Sequence, residues 1–198
     1  MVKEWIGYQY LDKFFDLQFS LRDINIVNYI RSLNIIDTQT GRYFDTCAKE
    51  ICIQFNFSLR QINRYLNLIQ LVYNYINTEN IMHDAILSKY ILFPIMLGIK
   101  IYDINIYNKI INGDGENELK SIIMKNTEII NILNHFFNVE QNEKELAFDF
   151  SELYRKIFID IQESEWVDAK IGNTNIKYGK ERKRLMSLLS FLNEFVQL

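Results

Sequence analysis

SLRQINRYLNLIQLVYNYI, residues 58–76, is the clearest structural statement in the chain. Ser58 is followed three residues on by Gln61, the spacing of a capping box that opens a helix. Leu59, Ile62, Leu66, Ile69, Tyr73 and Ile76 then recur at helical spacing and predict one apolar stripe over Leu59–Ile76. At ~100° per residue, the stripe centres opposite Arg60 and Arg64. The two arginines stand four apart and share the outward face. Leu68 and Leu71 break the polarity of the second half, so cover on more than one side is expected there.

Working outward, the neighbouring segments are also helical. Upstream, Phe44, Cys47, Ala48, Ile51 and Phe55 mark a helix, preceded by a loop over Asp37–Arg42. Ile24, Val27, Ile30 and Leu33 mark another, opened by Ser20 and Asp23 at capping-box spacing. Before it, Leu17, Phe19 and Leu21 alternate with Gln18 and Ser20, the period-two pattern of a strand over 16–21. Downstream, helical patterns cover Ile81–Phe93, with Pro94 breaking or restarting the helix before Tyr102. Further helices are expected over Ile106–Ile111, Leu119–Phe137, Phe148–Ile161 and Lys180–Val196. Gly113-Asp114-Gly115 reads as a turn, and Asp168–Gly179 as a loop or short hairpin.

Composition agrees with a mainly α fold. Apolar residues make up 48% of 198, while a single proline and seven glycines are too few for a turn-rich β-sandwich. A net charge of −3 argues against a broad nucleic-acid surface. Cys47 and Cys52 have no neighbours to complete a metal site and read as reduced core residues of a cytoplasmic protein. Met1–Gly7 has no apolar run, so no signal peptide is expected. The apolar stretch Ile86–Ile101 is interrupted by Ser88, Lys89, Pro94 and Lys100, and falls short of the ~20 residues a membrane span requires.

The residues supply little catalytic chemistry. No G-x-x-x-x-G-K-[ST] occurs. The nearest approach is Gly172–Lys180, where six residues separate the glycines and Glu181 stands in place of the hydroxyl residue that would meet magnesium. His83 and His135 lie in no metal-binding pattern, and Asp12 and Asp16 have no evident pocket. Lys177, Lys180, Arg182, Lys183 and Arg184 form a basic run at the start of the last helix. There they oppose the macrodipole, and they read either as a solvated face or as a surface for an acidic partner.

Two segments carry a resemblance. Tyr10-Leu11-Asp12-Lys13-Phe14-Phe15-Asp16-Leu17-Gln18-Phe19-Ser20-Leu21 resembles the segment after the ATPase core of KAP-family P-loop NTPases, with Arg22 where the family usually has proline. Ser58-Leu59-Arg60-Gln61-Ile62-Asn63-Arg64-Tyr65-Leu66-Asn67 resembles that family's lid helix. Leu92–Tyr107, with Lys100 and Tyr107, is more weakly similar to its later helices. Together these cover roughly the first 115 residues; in the family, the Walker A and B motifs lie upstream of the first match.

The resemblance implies a helical bundle or lid preceded by one short strand left over from a P-loop α/β core. It divides the chain into 1–21 as the end of the core, 22–79 as an AAA-like lid, and 80–198 as a helical extension. It implies ATP and magnesium in the parent protein, with none bound by this chain alone and no ATP hydrolysis by it. Arg60, and next Arg64, would be sensor residues reaching the γ-phosphate as arginine fingers do. The upstream core and a protein partner are the implied contacts, with neither nucleic acid nor membrane. Of the family's members, bacterial phage-exclusion proteins fit better than animal membrane scaffolds. The alternative is a stand-alone helical interaction module without nucleotide chemistry.

Overall fold

A computed structural model describes residues 41–78, 85–140, 144–160 and 168–195. The strand expected over 16–21, the segment Tyr10–Leu21, the helix over Ile24–Leu33, and Asp12, Asp16 and His83 lie outside these residues.

The fold is mainly helical. Helix α1 spans Gly41–Gln54 and α2 spans Leu59–Thr78. A π-helical stretch, Leu87–Leu92, runs directly into α3, Phe93–Tyr102. Then follow α4 (Ile104–Ile111), α5 (Glu116–Met124), α6 (Thr127–Phe136) and the short α7 (Phe150–Tyr154), which continues as a π turn over Arg155–Ile159. Strands β1 (Asp168–Ile171) and β2 (Thr174–Lys177) form an antiparallel hairpin with Asp168 opposite Lys177, and α8 spans Tyr178–Phe195.

The capping box is present: the Ser58 N–H donates to Gln61 Oε1 at 2.9 Å, and the Gln61 N–H donates to Ser58 Oγ at 3.4 Å. The core face of α2 is Ile62, Tyr65, Leu66, Ile69 and Val72. Leu59, expected in that stripe, is exposed instead, because it is the first helical residue and lies short of the core. Of the two leucines that break the stripe, Leu68 is partly buried against the core and Leu71 is exposed. On α1, Phe44, Cys47, Ala48, Ile51 and Cys52 are fully buried. Gly98 admits α1 against α3: a Cβ there would collide with the Ile51 side chain.

Pro94 does not interrupt the chain's helical course. It lies just past the junction of the π-helical stretch and α3, with helical backbone on both sides. The helix expected over Leu119–Phe137 is instead two. Asn126 leaves the helical region at φ −129° and its side chain accepts the Ile129 N–H, so it caps α6 and ends α5. Residues from Phe44 to Leu192 contribute to a single buried cluster in which α1, α2 and α8 all pack on α3.

Two hydrogen-bonded pairs fix how α8 lies on the helix through α3. Ser88 bonds to Glu181, and Lys100 bonds to Asn193; both pairs span 93 residues. Equal separations mean the two helices run parallel, joined at points ~18 Å apart at 1.5 Å per residue. Their amino ends therefore lie together, as do their carboxyl ends.

Candidate functional site

Of the buried polar side chains among the described residues, Ser88, Lys89, Glu181, Arg184 and Lys100 lie at the two ends of this parallel pair. At the amino ends, Ala85 turns the chain through φ 80° just before the π-helical stretch. The Ser88 N–H donates to Glu181 Oε2 at 2.7 Å, the Ser88 hydroxyl donates to the Glu181 carbonyl at 2.6 Å, and the Leu87 N–H also reaches the carboxylate. Glu181 thus caps a helix 93 residues away in sequence. It is buried, and burial pushes its carboxyl above the usual carboxylate range even though the bonds from Ser88 oppose this. It also borders a cleft of about 300 Å³ with Lys177, Lys180, Thr174 and Asn175.

The basic run is not a uniformly solvated face. Arg184 is buried, and Arg182 Nη1 donates to the Ile157 carbonyl at 2.7 Å. Buried Lys89 feels Arg184 and Lys180 as like charges and Glu181 as the opposite one. The Gly172–Lys180 segment is a hairpin turn entering a helix. Gly172 takes φ 57°, and a Cβ there would meet Val139 and the Phe137 carbonyl.

At the carboxyl ends the arrangement differs. Lys100 is only 5% exposed. Its Nζ donates to Asn193 Oδ1 at 2.7 Å and stands 5.3 Å from the centre of the Tyr107 ring. The Tyr107 hydroxyl donates to the same Asn193 oxygen at 3.4 Å. Burial lowers the Lys100 ammonium's pKa, and the nearby Arg64 guanidinium lowers it further. Burial pushes Tyr107 up to about 12, so it remains a neutral phenol.

Arg60 and Arg64 are both exposed on α2. Arg60 lies opposite the buried stripe. Arg64 lies about 40° round from it toward Tyr65, whose hydroxyl donates to the Pro94 carbonyl at 2.9 Å. That bond ties α2 to α3 and leaves Arg64 on the Lys100 side. Arg64 is near enough for its charge to be felt at Lys100, and Arg60 is exposed on the outer face. Asn193 escaped sequence reasoning: an asparagine near the end of an amphipathic helix carries no local signal, and only the parallel packing of α8 gives it a role.

Cys47 and Cys52 are buried free thiols, and burial pushes Cys52 up to about 12. His135 is exposed, 6.2 Å between ring centres from Tyr43. Among the described residues no group of His, Cys, Asp and Glu is placed to hold a metal, and no helix is long and apolar enough to cross a membrane. Comparison with known protein families, curated proteins and solved structures finds no match to this chain.

Proposed function

We propose that this chain is the helical lid and C-terminal extension of a KAP-type P-loop ATPase, acting in the cytoplasm and in bacterial phage defence. ATP and magnesium would be held by the upstream core, and the lid would bring Arg60 and Arg64 to the γ-phosphate. One observation carries the reading: α2 is capped, buried on one face and presents both arginines on the other. Both are exposed on that face, the side from which a nucleotide held outside this chain would approach. Movement of α2 would pass through the Tyr65–Pro94 bond to α3 and α8, and so to a protein partner.

The test joins this chain to its P-loop core and measures ATP turnover. Arg60→Ala and Arg64→Ala are each compared with the parent, with thermal melting as the control for folding. Unchanged turnover in both variants would remove the sensor role.

A second reading, a protein-interaction module without nucleotide chemistry, is favoured by one surface feature. Tyr102 and Ile104 are exposed where α3 meets α4, and Tyr102 stacks on Phe55 at 4.3 Å beside a cleft of about 410 Å³. On that reading, Tyr102→Ala would abolish partner binding and the arginine variants would leave it intact.

A further inference from the structure

We propose that the cleft between the end of α1, the α3–α4 corner and α5 receives a tryptophan or tyrosine side chain of a protein partner, with an acidic residue beside that ring facing Lys125. The inference deepens the interaction-module reading, on which it rests for the partner being a protein; the cleft itself is argued from its shape and chemistry.

The cleft, of about 410 Å³, has two walls of different character. One is apolar: Phe55 just after α1, Tyr102 at the end of α3 and Ile106 in α4. The other is one face of α5, where Asn117, Ser121 and Lys125 follow at four-residue spacing with Glu118 beside them. Both walls are fixed within the chain. Gln54 Nε2 donates to the Ile122 carbonyl at 2.9 Å and ties α1 to α5. The Phe55 and Tyr102 rings stack with centres 4.3 Å apart and planes 8° from parallel. Glu118 is held by Lys109 at 2.7 Å. A cleft built in advance spares its ligand the cost of ordering it.

The stack selects an aromatic occupant. Tyr102 lies against Phe55 and is still 54% exposed. A third ring laid on it gains stacking that an aliphatic side chain lacks. The facing wall of amide, hydroxyl and ammonium groups suits a ring with a polar edge, which tryptophan and tyrosine have and phenylalanine does not. The surface around the cleft then favours a protein over a free small molecule. Ile104, two residues past Tyr102, is 42% exposed. A small ligand held in the cleft leaves that side chain in water, whereas a protein segment covers both. Charge sets the last feature. Glu118 is already paired with Lys109, while Lys125 is exposed at the end of α5, so a carboxylate on the partner is the complementary group.

The experiment uses the whole chain and follows the backbone N–H signals of Ser121 and Lys125 and the side-chain amide of Gln54 by NMR. The probes are three capped peptides, Gly-Asp-Trp-Gly, Gly-Lys-Trp-Gly and Gly-Asp-Leu-Gly, with adenosine as a planar ligand that is not a peptide. The Asp-Trp peptide should give saturable shifts with a dissociation constant on the order of 1 mM. The Asp-Leu peptide should bind about 10-fold more weakly, and the Lys-Trp peptide a few-fold more weakly. Tyr102→Ala should weaken the Asp-Trp peptide about 10-fold, and Tyr102→Phe, which keeps the ring, should retain it. Lys125→Glu, an exposed change that leaves the core untouched, should reverse the preference between Asp-Trp and Lys-Trp. Signals unmoved by every peptide, or equal binding of the Trp and Leu peptides, would overturn the proposal. Adenosine binding tighter than the Asp-Trp peptide would overturn it in favour of a free heteroaromatic ligand. A preference unchanged in Lys125→Glu would overturn the acidic contact. If the Asp-Trp peptide binds and the Arg60 and Arg64 variants also lower ATP turnover of the core-joined protein, the site stands and the reading without nucleotide chemistry falls. If no peptide binds and those variants leave turnover unchanged, the site falls alone.

Discussion

Glu181 and Lys100 are two buried charges on one pair of parallel helices, yet their surroundings differ. Glu181 sits at the amino ends, where both macrodipoles favour an anion, and it receives backbone N–H groups and lies among Lys89, Lys180 and Arg184. Lys100 sits toward the carboxyl ends, which favour a cation; its bonded partners among the described residues are neutral, burial opposes its charge, and the Arg64 guanidinium opposes it further. The first site is complete within the chain and reads as structural. The second, among the described residues, is held by an amide oxygen and an aromatic face.

The largest effect expected on either side of this comparison is catalytic. On the proposed lid reading, Arg64→Ala in the chain joined to a P-loop core should lower ATP turnover on the order of 10³-fold, as loss of an arginine at the γ-phosphate does. Its melting point should hardly move, because exposed side chains usually contribute within about 0.5 kcal/mol. Hydrolysis and melting measured on the same preparation separate the two. A stability loss that matched the activity loss would mean that Arg64 is structural after all.

Next in size is the removal of the completed site. Glu181→Ala strands the Leu87 and Ser88 N–H groups at a buried helix start and should cost roughly 3 kcal/mol in denaturant melts. Glu181→Gln retains an acceptor oxygen and should cost less than half as much. Equal losses in the two would show that shape, and not hydrogen bonding, fixes this end of the pair.

Much of this fold was legible in the sequence, and the reasons are local. The Ser58–Gln61 box, the stripe from Ile62 to Ile69 and the Phe44–Cys52 face follow from neighbours a few residues apart. Arg60 and Arg64 were legible for the same reason, since a helix fixes which side chains share its outer face. The Asn126 cap was harder to see, because apolar residues continue at helical spacing on both sides of it. Ser88, Lys89 and Lys100 read as interruptions of an apolar stretch, and Glu181 as the wrong residue for a phosphate loop. Each acquires its meaning from a partner on another element, in two cases 93 residues distant. No periodicity along one segment can encode that pairing.

A smaller effect sharpens the contrast. Lys100→Met keeps the apolar stem and removes the charge, so it should be neutral or should stabilise the chain by up to ~1 kcal/mol, as replacing a poorly compensated buried ion often does. The sign is opposite to that expected for Glu181→Ala. Urea melts of the two variants beside the parent make the check. A clear destabilisation by Lys100→Met would show that Asn193 and Tyr107 already satisfy the ammonium, which would close the gap between the two sites.

The least effect, and the most specific, is in pH dependence. The Glu181 carboxyl titrates higher in the folded chain than its ordinary value of 4.5, so the folded state binds the proton more tightly. Stability contributed by this group should therefore fall as pH rises from about that value through the folded one, by less than about 1.4 kcal/mol per pH unit. Lys100 titrates below its ordinary value of 10.5, so the folded state releases its proton first. Its contribution should rise with pH over the window between the folded value and 10.5. Tyr107, pushed up to about 12, acts in the opposite direction at the top of that window, so the parent alone cannot show the Lys100 slope. Subtracting the Lys100→Met curve from the parent curve isolates it, and subtracting Glu181→Gln isolates the acidic one. Two differences of opposite sign are expected, one running upward from the ordinary carboxylate value of 4.5 and one running up to the ordinary ammonium value of 10.5. Differences of the same sign, or none, would mean that the two ends of the helix pair do not differ as their surroundings indicate.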